Sequence, residues 1–102
     1  MKVTKKDAKA GILTLQQALK ILGPKGEHWI KRSYHNAAET KFCALGAIHK
    51  ANGLGEYIAG EALENTVPDF DVPTYNDSSS RKFPEIRKKF LEAIKLLEDG
   101  LV

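Results

Sequence analysis

A single cysteine, Cys43, stands in a chain of 102 residues. That excludes an intramolecular disulfide and any cysteine-based metal cluster, and it fits a reducing, cytoplasmic setting. No stretch approaches the roughly 18 apolar residues of a membrane span, so no membrane partner is expected. The N-terminus is rich in lysine, but the pattern after it is amphipathic and lacks the unbroken apolar run of a signal peptide. No internal repeat is present, and low complexity is confined to Ser78-Ser79-Ser80. Gly23, Gly26, Gly53 and Gly55 lack the strand-to-helix context of a phosphate loop. Lysine and arginine are missing from residues 51–80, which carry six acids, whereas residues 1–50 carry ten basic residues against three acidic ones. The net charge of +3 thus conceals segments of opposite sign. Such segments can attract one another within a fold or offer a basic face to a polyanion. The basic residues are scattered, which favours the first reading.

What is present is helical periodicity, in a length that suits one domain, 1–102. Thr4 to Asp7 has capping-box spacing. Ala8, Ile12, Leu15, Leu19 and Leu22 then form one stripe, widened by Gly11 and Ala18, until Gly23-Pro24 stops the helix. From Asn36 to Gly53 the sequence predicts a central helix that is apolar on nearly every side. Asn36 is its N-cap, Glu39 completes the box, and Gly53 is the left-handed cap. A helix apolar all round is normally buried. A shorter helix is expected over 56–66, with Ile58, Ala59, Ala62 and Leu63 on its apolar side. The last helix opens near Pro84, a residue suited to a first turn, and carries Phe83, Ile86, Phe90, Ile94, Leu97 and Leu101. Between these two, residues 67–80 read as a loop pinned to the core by Phe70, Val72 and Tyr75. Glu27 to His35 is open to helical or extended readings. An ordered loop with a short extended piece is favoured, its aromatics against the central helix. The expected fold is all-α: a compact bundle of four helices around a buried central helix, with a short extended segment near Trp29.

The order Trp29, then Phe42-Cys43-Ala44-Leu45-Gly46-Ala47-Ile48, then Asn76-Asp77, then a helix opening at Pro84-Glu85-Ile86 resembles a family of small bacterial and phage proteins. That family is known chiefly as a domain of unknown function. The resemblance spans about Ile12 to Leu97. The chain departs from the pattern at Tyr75, where Trp is common, and at Lys82, where a hydroxyl residue often caps the last helix. The resemblance implies a fold and brings no activity with it.

Candidate chemistry is sparse. A nucleophilic cysteine needs a lowered pKa and access. Cys43, placed two turns into an apolar helix with His49 on another side, reads as a buried structural thiol. His28, His35 and His49 match no zinc spacing. No catalytic residue, metal or cofactor is expected. Asn76-Asp77 and the serines after it read as an Asx-type turn. The expected function is therefore non-catalytic: an interaction module whose partner is another protein. Its contact surface would join the Trp29–His35 loop to the Asn76–Arg81 turn, with Trp29, Arg32, Tyr34, Asn76, Asp77 and Arg81 as binding residues, since aromatics and arginine favour anchor positions. Nucleic-acid binding is the alternative, through Lys31 and Arg32 beside Trp29 and Tyr34. A Cys43-dependent enzyme stands third.

Overall fold

Thr4 starts the first helix by side-chain chemistry. In the computed structural model, which describes residues 3–51 and 53–100, its hydroxyl oxygen accepts from the Asp7 N–H at 3.1 Å. Helix α1 follows as Lys5–Leu22. Gly23 ends it with φ 88° and donates to the Leu19 and Lys20 carbonyls, a conformation that glycine adopts without steric cost. The remaining helices are α2 (Ala44–Ala51), α3 (Glu56–Glu64), α4 (Val72–Asp77) and α5 (Phe83–Glu98). Helix α1 packs against α2, α3 and α5, and α2 also meets α3 and α4. The described residues form no sheet. Met1 and Lys2 of the loose start expected over Met1–Val3, the stripe position Leu101, and Asn52, which precedes the expected cap Gly53, lie outside the described residues.

The central helix is shorter than its sequence implies. It starts at Ala44, eight residues after Asn36. The Asn36 side chain is spent locally, its oxygen accepting from the Thr40 N–H at 2.8 Å and the Lys41 N–H at 2.9 Å. Glu39 takes φ 55° and cannot close a helical capping box. Phe42 is extended and bridged on both sides, to Trp29 and to His35. Its N–H donates to the His28 carbonyl at 2.7 Å, and its carbonyl accepts from the Ile30 N–H at 3.0 Å. Pairing with residues 28–35 thus consumes the backbone groups that a longer helix would need. This is the extended segment near Trp29.

Residues 67–80 hold more than a loop. A 3-10 turn spans Pro68–Phe70, and Asp71 then caps α4 by accepting from the Thr74 N–H at 3.1 Å. Pro73 falls in the first turn of α4, where its missing N–H costs nothing. Helix α5 begins at Phe83, one residue before Pro84. The Glu85 carboxylate reaches back to the Lys82 N–H at 2.8 Å, so the box closes from the Glu85 side without a hydroxyl residue.

Helix α2 is enclosed along Ala44, Gly46, Ala47 and Ile48 by its neighbours, while His49 and Lys50 face water. Leu15, Leu22, Leu63 and Phe90 have almost no exposed surface. Each contributes about 1.5–3 kcal/mol by leaving water. Gly46 is fixed by close approach: a Cβ there would run into the Tyr34 carbonyl. This contact seats the 28–35 segment directly on the start of α2.

Candidate functional site

The Trp29 ring packs on the start of α5. Its ring centroid is 5.9 Å from that of Phe83. Its indole N–H donates to the Asn76 amide oxygen at 2.8 Å. That oxygen also accepts from the Ala44 N–H at 3.0 Å, so Asn76 satisfies the first amide of α2. The Asn76 amide nitrogen donates to the Ile30 carbonyl at 3.1 Å and to the Asp77 carboxylate at 2.9 Å. Asn76 is 1% exposed. All four of its hydrogen-bonding positions are occupied, which is what a buried amide requires.

Asp77 extends the lock. Its Oδ1 also accepts from the Arg32 N–H at 2.7 Å, where Arg32 turns through φ 71°. Lys31 Nζ donates to the Ser78 carbonyl at 2.7 Å and sits 5.5 Å from the Trp29 ring centroid. Arg81 Nε donates to the Tyr75 carbonyl at 2.9 Å, and its guanidinium lies 3.5 Å from the Tyr75 ring centroid. A bond of 2.8 Å pairs it with Glu85. The structure therefore joins the Trp29–His35 loop to the Asn76–Arg81 turn, as a surface drawn from both segments requires. Within it Asn76 is buried, Trp29 and Arg81 are half-buried, and Arg32 and Tyr34 face solvent.

Arg32, Ser33, Tyr34, Cys43, Pro73 and Asp77 line a recess of about 210 Å³. Cys43 is not two turns into a helix. It is the residue before α2, and its Sγ accepts from the Gly46 N–H at 3.3 Å. It is nevertheless buried. Burial pushes its thiol pKa up against that hydrogen bond, and the nearby Asp77 carboxylate adds to the rise. The lining of this recess includes no histidine.

A second feature has no counterpart in the sequence reading. Beyond Tyr34 a cleft of about 540 Å³ opens between the 34–42 segment, α2 and α3. Phe42, Leu45 and Ile48 give it apolar walls, and Gly60 of α3 borders it. His49 and Glu56 stand at its edge, Nδ1 to Oε1 at 2.7 Å. His49 and Glu56 come from different helices, and only the packing of α3 on α2 brings them together. Among the described residues, no group of three or more His, Cys, Asp or Glu side chains could hold a metal ion. No helix among them is long and apolar enough to cross a membrane.

Fold and site together define a small all-α domain that presents one loop locked onto its core by a buried asparagine. The chain belongs to the family of unknown function DUF6197, which it matches over residues 10–96. Neither a curated protein nor a solved structure matches it.

Proposed function

We propose that this protein is a non-catalytic binding module of a cytoplasmic, reducing setting. Its partner is another protein, and its contact surface centres on Arg32 and Tyr34. The observation that supports this reading is how the Trp29–His35 loop is held. Asn76 and Asp77 bond it at Trp29, Ile30 and Arg32, and Gly46 seats it at Tyr34. Tyr34 is nonetheless 62% exposed. A loop already fixed in position loses little entropy on binding, and tyrosine and arginine are favoured anchor residues. Trp29, Asn76, Asp77 and Arg81 serve as the scaffold behind those anchors.

Nucleic-acid binding draws less support. Lys31 is engaged by the Ser78 carbonyl and Arg81 by Glu85 and Tyr75. The Trp29 ring is packed on Phe83. Of the four residues that would meet phosphates and bases, Lys31 and Trp29 are used internally, which leaves Arg32 and Tyr34.

A photo-reactive benzophenone side chain at Ser33 tests the reading in the native host. One discrete cross-linked protein is expected, lost on Tyr34→Ala and on Arg32→Gly. Glycine suits φ 71° at position 32, so the second loss would report the side chain and not the loop. No cross-link, or one that survives both changes, refutes the proposal.

A further inference from the structure

Glycine is the costliest residue inside a helix after proline, so a mid-helix glycine calls for a reason. Gly46 has one in the Tyr34 carbonyl, and Gly11 has one in the Ile58 and Leu97 side chains. Gly60, in the middle of α3, has none within the fold: a Cβ there would meet nothing within 4 Å. Gly60 itself lines the cleft of about 540 Å³, a volume in the range of small-molecule sites. The walls are Phe42, Leu45 and Ile48, with Glu39, His49 and Glu56 also on the lining. The His35 ring stands 6.5 Å from that of Phe42, tilted by 60°.

We infer that this cleft binds a small planar aromatic ligand carrying an N–H donor on its edge, with Gly60 keeping room for the ring. The apolar walls and rings suit a flat hydrophobic body. Glu56 is already paired with His49, so the Glu39 carboxylate is assigned as the acceptor for the ligand N–H. A charge-assisted hydrogen bond of that kind orients a ring that the apolar walls alone would hold loosely. The site is separate from the Arg32 recess, although Tyr34 borders both, and it does not depend on the protein-binding reading.

The test is an amide chemical-shift titration of the full chain with indole, and with benzofuran as the equal-shaped ring lacking the N–H. Indole is expected to shift the Leu45, His49 and Gly60 amides saturably, with benzofuran at least several-fold weaker. Gly60→Leu, which fills the open space, should abolish the indole response. Glu39→Gln, a change on an exposed loop, should weaken it several-fold and keeps the test sharp should the leucine variant fold poorly. Absence of saturable shifts at millimolar indole, or equal binding of the two rings, or an indole affinity unchanged in Glu39→Gln, overturns the inference. Cross-linking at Ser33 is unaffected by any of these results, so the two readings fail separately.

Discussion

The indole N–H of Trp29 and the amide oxygen of Asn76 meet at 2.8 Å across a separation of 47 residues. The same oxygen receives the first amide of α2, so one side chain ties three segments together. Removing it leaves the Trp29 and Ala44 N–H groups and the Ile30 carbonyl short of partners. Asn76→Ala is expected to cost about 2–4 kcal/mol, in the range for orphaned buried polar groups. Asn76→Asp should be worse at neutral pH, because a second carboxylate would face Asp77 and the Ile30 carbonyl, which now accept from the amide nitrogen. Protonation restores one donor, so the penalty of the aspartate variant should shrink toward acid pH. Urea unfolding at two pH values measures both effects.

Two glycines separate structural need from vacancy. Gly46→Ala places a methyl where the Tyr34 carbonyl lies, and the neighbour is backbone, which cannot swing aside. A loss of roughly 2–3 kcal/mol is expected, as for overpacked cores, together with displacement of the 28–35 loop. Gly60→Ala meets nothing and should gain about 0.5–1 kcal/mol from helix propensity alone. Thermal melts of both variants check the contrast, and a destabilised Gly60→Ala would show that the site is packed after all.

Those contacts also mark what periodicity reveals and what it hides. The stripes of α1 and α5 were legible because local spacing sets the buried face: Leu15, Leu22, Phe90 and Leu97 are all buried. The start of α2 was not. Asn36 carries the right side chain for a cap, but the pairing of Phe42 with Trp29 and His35 takes the backbone that the helix would use. Backbone pairing overrode a local capping signal that side-chain type alone suggests. At the candidate site, the Asn76-Asp77 pair reads as an Asx-type turn, yet both residues belong to the end of α4. The burial of Asn76 was not legible either, since it depends on an indole and a helix start far away in sequence. Gly60 and the His49–Glu56 pair were invisible because both depend on how α3 packs on α2.

Cys43 supplies a prediction about reactivity. Its thiol is buried and its pKa is raised, chiefly by desolvation. Iodoacetamide should label it slowly in the folded protein near neutral pH and rapidly in urea, because only the thiolate attacks. The unfolded chain ionises first as pH rises past about 8.5, while the folded thiol keeps its proton. Folding stability should therefore fall between the unfolded and folded pKa values, and Cys43→Ala should remove that part of the alkaline decline. Fast native labelling would place the sulfur in solvent and reopen a catalytic reading.

The acid side has the opposite sign. The Thr74 N–H and then its hydroxyl hold the Asp71 carboxyl below its ordinary range. The Lys82 N–H does the same for Glu85, with Arg81 adding to it. Both groups release their protons more readily in the folded chain than in the unfolded one. The stability they supply is present above the ordinary carboxylate pKa of about 4 and is lost as pH falls through the lower folded values. Asp71 caps α4, which carries Asn76, and Glu85 closes the first turn of α5, so both carboxylates stand behind the Trp29–Asn76 bond. Acid titration should therefore loosen the 28–35 loop, and quenching or shift of the Trp29 fluorescence follows that change. Asp71→Asn and Glu85→Gln should each flatten the acid limb of the unfolding midpoint while lowering it at neutral pH. A limb that stays equally steep in the double variant would assign acid sensitivity to other carboxylates and remove these two caps from the account of the loop.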